Sequence, residues 1–374
     1  MLRARGLAVL ALSALLHVPA VPAVPAAPAA PSAPPAAGSA PATAAAGPPA
    51  PGQTRSHYLT SVDPGLISRT GAADAIDAAG QGLAQALVVL DAGSPAGEDG
   101  SVRLPDTHSH AEPSAVQAAA VAYGKAWRAA KGPALMLVVG TTNYGSFTGG
   151  PHGAAWARMV ESVARALPGI DVRAGLDAEQ EYSTPLATRS WVEAYDASGT
   201  RPYVDFGSCT CPPAPSPPAN HWTTEDVYAV AVGDGRAVVL PEIYAPKGGN
   251  ARAWGRVVAW SRTQHPELPV RIVGALTEAG ACNGPPKRSC TGIDLTPGPA
   301  WAQLTTVLGL GSDPGPDLRY LTDISYLPVA PARHHARIGA PLLIALMMLV
   351  GALVSTAVLA FVRLAPPRRR HRRH

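Results

Sequence analysis

The chain has 374 residues, only 15% of them charged, while 40 prolines and 37 glycines make up about a fifth. All 26 acidic residues lie between Asp63 and Asp323; two arginines stand near the start and six at the end, so the stretch between carries 22 basic residues and a formal charge of −4. The formal +4 of the whole therefore belongs to the termini, which excludes a basic nucleic-acid-binding domain and leaves one large domain with appendages.

Arg3 and Arg5 precede an apolar run over 6–16, and Val18-Pro19-Ala20 offers a small-x-small cleavage site. Residues 1–20 therefore read as a secretory signal peptide. Residues 21–54 are almost wholly Ala, Pro, Ser, Thr and Gly. They hold too little apolar surface to offset the entropy of ordering, and read as a disordered, semi-rigid linker.

Residues 55–328 read as the folded domain, near the usual size of a β/α barrel. Short apolar runs at 86–90, 134–139, 172–176, 203–206, 227–232, 237–240 and 271–276 predict strands, most of them continuous and β-branched as in sheets covered on both faces. Helical stretches alternate with them. Ser114 is placed to cap a helix reaching 131, with Gly132 as its stop; Thr184-Pro185 opens another that Gly199 ends. Asn250 is placed to cap the helix carrying Trp254 and Trp260, and Thr296-Pro297 the stretch reaching 308. This alternation predicts a parallel sheet with crossover helices, a (β/α)8-type barrel. Only four residues separate the runs at 227–232 and 237–240, so the barrel is expected to be distorted or incomplete there.

Residues 329–337 lead to an uncharged apolar segment, 338–362, long enough as a helix to cross a hydrocarbon core of about 30 Å. A basic tail, 363–374, follows. Arginines at that end place it in the cytoplasm and the domain outside the cell membrane. Leu327-Pro328-Val329-Ala330-Pro331 lacks the Thr-Gly of a sortase signal, so a retained, single-pass anchor is expected.

The four cysteines, Cys209, Cys211, Cys282 and Cys290, fall in the exported part and read as two disulfides. Pairing Cys282 with Cys290 would staple a Gly-Pro-Pro loop and leave Cys209 for Cys211; crosswise pairing is the alternative. Thiolate zinc is disfavoured by the spacing and the compartment. No phosphate-binding glycine motif occurs, and the reading calls for no cofactor and no metal.

Acids and amides recur at the strand ends, where barrels carry their chemistry: Asp91, Asn143, Asp177, Glu179, Asp205, Glu242 and Glu278. Asp177-x-Glu179 is the strongest local signal, since residues two apart on a strand share a face. Paired carboxylates are what glycosidic cleavage needs, one to protonate the leaving oxygen and one to act as base or nucleophile. Glu179 is expected as the general acid, Glu242 as nucleophile or base, and Asp177 as the like charge that tunes Glu179. Asp91, Asn143, Tyr144, Asp205, Tyr244 and Glu278 are expected to bind substrate, with Tyr144, Tyr182, Trp222 and Tyr244 able to stack on sugar rings. The remaining helix tryptophans, Trp127, Trp156, Trp191, Trp254 and Trp301, are expected in the core.

Gly140-Thr141-Thr142-Asn143, Gly149-Gly150-Pro151-His152-Gly153, the Asp177-x-Glu179 turn, Phe206-Gly207-Ser208-Cys209 and Leu240-Pro241-Glu242-Ile243-Tyr244 also form a set. With Leu276-Thr277-Glu278 and Leu321-Thr322-Asp323-Ile324, it resembles a group of exported proteins of high-GC bacteria with a glycoside-hydrolase-like β/α barrel. The Asp-x-Glu turn alone is similar to that of the lysozyme-like family 25 hydrolases. The resemblance implies the barrel and the place of its site. The expected function is a membrane-anchored hydrolase of cell-wall or other polysaccharide; the alternative is an inactive barrel that binds glycans or a surface partner.

Overall fold

The computed structural model describes residues 49–145, 149–211, 219–284, 290–310 and 317–327. The signal peptide, nearly all of the linker, the apolar segment 338–362 and the basic tail lie outside them. Among the described residues no helix is long and apolar enough to cross a membrane.

Eight parallel strands make one sheet: β1 (Gln53–Tyr58), β2 (Gln85–Asp91), β3 (Ala134–Thr142), β4 (Asp171–Asp177), β5 (Tyr203–Asp205), β6 (Val238–Val239), β7 (Gly274–Thr277) and β8 (Tyr320–Tyr326). Their spatial order is β7-β8-β1-β2-β3-β4-β5-β6. The two outer strands then meet, through parallel bridges Val239↔Ile272 and Glu242↔Leu276, so the sheet curls into a nearly closed barrel. Helices α1 (Pro64–Gly80), α2 (Pro113–Ala129), α3 (Gly150–Ala166), α4 (Pro185–Ser198), α5 (Thr224–Val232) and α6 (Gly249–Gln264) each follow the strand of the same number, and α7 (Ala279–Asn283) and α8 (Pro297–Val307) lie between β7 and β8. This is the connectivity of a (β/α)8 barrel.

Two cores result. Leu87, Val89, Met136, Val138, Val204, Phe206, Val238, Leu240, Val273, Leu276 and Ile324 pack together as the barrel interior. The larger core lies between barrel and helices and takes in all five helix tryptophans named above. Phe206 is set against Gly140 and Gly175, where a Cβ would come within 2.8 and 2.7 Å of its ring. An aromatic ring thus packs against β3 and β4 just before the residues that carry the acids.

The run at 227–232 is helix, not strand, and no helix is missing between β5 and β6. Val, Tyr and Ala in unbroken succession fit either state, and the residues just before decide it. Thr223 Oγ1 accepts from the Asp226 backbone at 3.1 Å while Asp226 Oδ2 accepts from the Thr223 backbone at 3.0 Å, a reciprocal capping box. Gly233, with φ 54°, ends the helix. Thr223→Ala is expected to lower stability by about 1 kcal/mol, read as a fall in urea midpoint at unchanged slope.

Other boundaries move for similar reasons. β1 starts at Gln53, two residues inside the stretch read as linker. Helix α2 is entered through Glu112 and Pro113, so Ser114 lies inside it, and it stops at Ala129. Helix α6 is entered through Gly248 in the left-handed region, and Asn250 Oδ1 instead accepts from the Ala245 backbone at 3.0 Å. Thr184 does cap α4, accepting from the Ala187 backbone at 3.3 Å. Cys209 lies beside Cys211 and Cys282 beside Cys290, with Cα separations of 4.9 and 5.5 Å, each within reach of a disulfide.

Candidate active site

Every barrel strand leads toward the same rim. Strand β4 ends at Asp177, and the loop after it carries Glu179; Glu242 follows β6, at the level where the chain bridges to Leu276 of β7. One carboxylate oxygen from each of Asp177, Glu179 and Glu242 lies within 4.8 Å of the other two. Glu278 follows β7, and its carboxylate accepts from the Tyr58 hydroxyl at the end of β1. The three residues expected to be catalytic are therefore brought together, and Glu278 joins them.

The loop after β4 is held in place by side chains from its neighbours. Asn143 Oδ1 accepts from the Glu179 backbone at 3.1 Å, and Asn143 Nδ2 donates to the Glu179 carbonyl at 3.0 Å and to Thr188 at 3.2 Å. Its amide is thus spent on positioning Glu179 and not on a ligand. Asp205 acts likewise: it is buried, and its carboxylate accepts backbone N–H groups of Gly207 and Ala178. Gly207 is needed here, because a Cβ would meet the backbone of Ala178 at 2.5 Å. That close approach brings Ser208 to Glu179, to which its hydroxyl donates. Asp91 accepts from the Gly93 backbone at 2.9 Å.

The Tyr182 hydroxyl stands near Glu179 and favours its charged form, and the Tyr244 hydroxyl lies near Ser208. Tyr144 stands at the rim with its ring edge-on to Tyr182, centroids 5.0 Å apart. Trp222 is not a sugar platform: it is buried, and its indole donates to the Ser183 carbonyl at 2.9 Å.

The electrostatics follow from crowding. Burial raises Asp177 well above the aspartate range, and Glu179, Asp91 and Glu278 raise it further. Glu242, 3% exposed, is raised by burial and then by Glu278, Asp177 and Glu179. Burial also raises Glu179, but the Ser208 and Tyr182 hydroxyls pull it back by stabilising its charged form. Asp177 and Glu179 repel one another, so the ionisation of either one opposes that of the other. Burial raises Asp91 to about 6 and Asp205 to about 7. Asp177 Oδ1 is buried without a hydrogen-bond partner among the described residues.

Sequence reasoning missed Tyr58 and undervalued Ser208 and Tyr182. Tyr58 ends a strand too polar to be recognised from apolar runs. Ser208 enters the sequence reading only within the Phe206–Cys209 segment, yet a hydroxyl three residues past a strand is also well placed to donate to a neighbouring acid.

No family model matches the sequence, and no curated protein does. Solved structures resemble the chain only at low similarity. A dihydrodipicolinate synthase from Oceanobacillus iheyensis is 10% identical with a TM-score of 0.34, over 60% of this chain and 59% of that one, so less than two thirds of that protein is spanned. A sugar phosphate isomerase/epimerase from Parabacteroides distasonis is 9% identical with a TM-score of 0.35, over 76% and 91% of the two chains. An endo-1,4-beta-D-mannanase from Thermotoga petrophila is 13% identical with a TM-score of 0.34, over 74% and 88%. Proteins of different chemistry at such distance say nothing of activity, and the barrel rests on the strand order.

Proposed function

We propose that the protein hydrolyses glycosidic bonds in a polysaccharide with retention of anomeric configuration, as an outward-facing enzyme anchored by its C-terminal apolar segment. The observation that carries this is the close approach of Glu179 and Glu242. Carboxyl groups about 5 Å apart suit a covalent intermediate, whereas inversion needs room for a water and about 6.5–9.5 Å. One oxygen of each lies within 4.8 Å of the other's, an approach compatible with the shorter spacing, the groups as wholes lying farther apart than their nearest oxygens.

Retention needs one ionised carboxylate and one protonated acid, and the surroundings of the pair differ in that sense. The Ser208 hydroxyl donates to Glu179 and, with Tyr182 nearby, favours its charge, while Glu242 lies deeper, among other acids. The roles expected from sequence are therefore exchanged in this proposal. Glu179 attacks the anomeric carbon, and the bond to the leaving oxygen breaks as Glu242 gives that oxygen its proton. Glu242 then takes a proton from water, which attacks the same carbon and releases Glu179. Asp177, with its unpartnered Oδ1, takes a hydroxyl of the bound sugar.

One other reading has a specific observation in its favour. The three clustered oxygens are close enough to share a hard divalent cation, which the orphaned Asp177 Oδ1 would suit. One experiment addresses both. Proton NMR of the first-formed sugar, with and without excess EDTA, is expected to show the substrate's own anomer at an unchanged rate. The opposite anomer would overturn retention; a rate abolished by EDTA and restored by calcium or manganese would move the site to metal chemistry.

A further inference from the structure

Strand β8 carries the chain back to the rim that holds the acids. The Leu327 N–H donates to the Tyr58 carbonyl at 3.1 Å, its carbonyl accepts from Thr60 Oγ1 at 3.3 Å, and the Tyr326 ring packs against that of Tyr58, centroids 5.0 Å apart. Tyr58 is the residue whose hydroxyl donates to Glu278. The chain therefore leaves the barrel beside the candidate site and not at the opposite end, where β1 begins. Ten residues, 328–337, separate this exit from the apolar segment. Fully extended they span about 35 Å at most. They include Arg333, His334, His335 and Arg337 and no acid, and arginines so close to a bilayer are drawn to anionic headgroups.

The large apolar side chains left open to water have the same placement. Among the described residues they are Ile76, Tyr144, Tyr182 and Leu186. Tyr144 and Tyr182 stand in the loops after β3 and β4, and Leu186, 80% exposed, in the first turn of α4. These three share the rim with the exit, and Ile76 lies near the far end of α1. Tyrosine and leucine gathered on one open face suit a membrane–water interface, where such rings keep an apolar body in lipid and a hydroxyl in water.

We infer that the rim of the barrel is held against the phospholipid surface in which the protein is anchored, so that the glycan entering the site is one carried on a lipid of that bilayer. The inference rests on the anchored, hydrolytic reading above. A mouth that faces the bilayer is closed to a polymer approaching from outside and open to chains rooted beneath it.

The test reconstitutes the full chain into vesicles of phosphatidylcholine and phosphatidylglycerol. Leu186→Trp or Tyr144→Trp places a fluorophore at the rim, and Ile76→Trp places one at the far end, all three at exposed positions. The emission added over wild type is read with and without lipids that carry a nitroxide on the headgroup. About a twofold loss is expected at both rim positions and little at Ile76. Equal quenching at rim and far end, in protein that floats with the vesicles, overturns the docked rim and leaves the anchor standing. Protein that does not float overturns the anchor and this inference with it. For the glycan, four- to six-unit cello-, manno-, malto- and chito-oligosaccharides are supplied free in solution and coupled to a lipid of the same vesicles. Inserting about forty Gly-Ser residues between Ala332 and Arg333 loosens the tether, and is expected to slow cleavage of the lipid-borne form severalfold while leaving the free form unchanged. Equal rates on the lipid-borne form with either tether overturn the substrate class. Quenching at the rim without cleavage of any series overturns the hydrolase reading, and the substrate with it, and leaves the docked rim in place.

Discussion

Glu179→Gln is expected to abolish turnover on every glycoside the wild type cleaves, whatever the leaving group. An amide cannot form the glycosyl ester, so the covalent route closes and no improvement in the leaving group reopens it. Glu242→Gln is expected to behave differently. It loses only the proton donor, a contribution of roughly 10²–10⁴ on a glycan whose leaving oxygen must be protonated. On a dinitrophenyl glycoside, whose leaving group departs as a stable anion, that first step needs no proton, and bond cleavage continues near the wild-type rate until the glycosyl ester accumulates. The two variants are compared with both substrates by stopped flow, after circular dichroism has shown each to be folded. An initial burst from Glu242→Gln and none from Glu179→Gln supports the assignment. The reverse pattern would return the acid role to Glu179, and wild-type activity in both would remove the pair from catalysis.

The contrast rests on Ser208, which donates to Glu179, and on Tyr182 nearby, which together favour the charge of Glu179 and leave Glu242 without their support. Their effect was not legible in the sequence. Asp177-x-Glu179 could be read as a pair of acids at a strand end, although the strand stops at Asp177 and Asn143 holds the loop that carries Glu179, and Glu242 could be read because it follows an apolar run. Which hydroxyl reaches which acid depends on the approach of the β5 loop to Ala178 at Gly207, a tertiary contact with no local signal. The barrel itself was legible for the strands that read as apolar runs. Strands β1 and β8 were not, since Gln53–Tyr58 and Tyr320–Tyr326 are rich in polar residues. Burial there is tolerated because each hydroxyl finds a partner: Ser56 and Thr322 share a hydrogen bond of 2.8 Å, and Thr54 donates to the Leu87 carbonyl at 2.6 Å. The Gly149–Gly153 stretch was grouped with the site by resemblance, yet its visible work is packing. Gly153 lets α3 approach the Trp191 backbone, and His152, fully buried, accepts from the Trp191 indole at 3.0 Å.

Asp205→Asn is expected to make the protein more stable at pH 8 and to leave it nearly unchanged near pH 4. Asp205 is buried with two backbone N–H groups on its carboxylate, and burial outweighs them, raising it to about 7. In the unfolded chain an aspartate titrates near about 3.9. Between those values the unfolded state has given up the proton that the folded state keeps. The folded state then binds more protons, so stability falls as pH rises through the window, and above about 7 the loss is constant. At about 1.36 kcal/mol for each unit it amounts to about 4 kcal/mol at pH 8. Asp91, raised to about 6, acts in the same direction. His152 acts in the opposite one, since burial lowers it to about 4 and its folded neutral form loses stability as pH falls below the ordinary histidine range. Absolute stability is therefore a sum of opposing slopes, and the difference between wild type and variant isolates Asp205. Asparagine keeps an oxygen for the Gly207 and Ala178 N–H groups and cannot ionise. Urea unfolding of both proteins at several pH values from 4 to 8 gives that difference. A gap that opens toward pH 8 supports a buried, proton-holding Asp205; parallel curves, or a variant less stable at pH 8, would show that its charge is welcome in the fold.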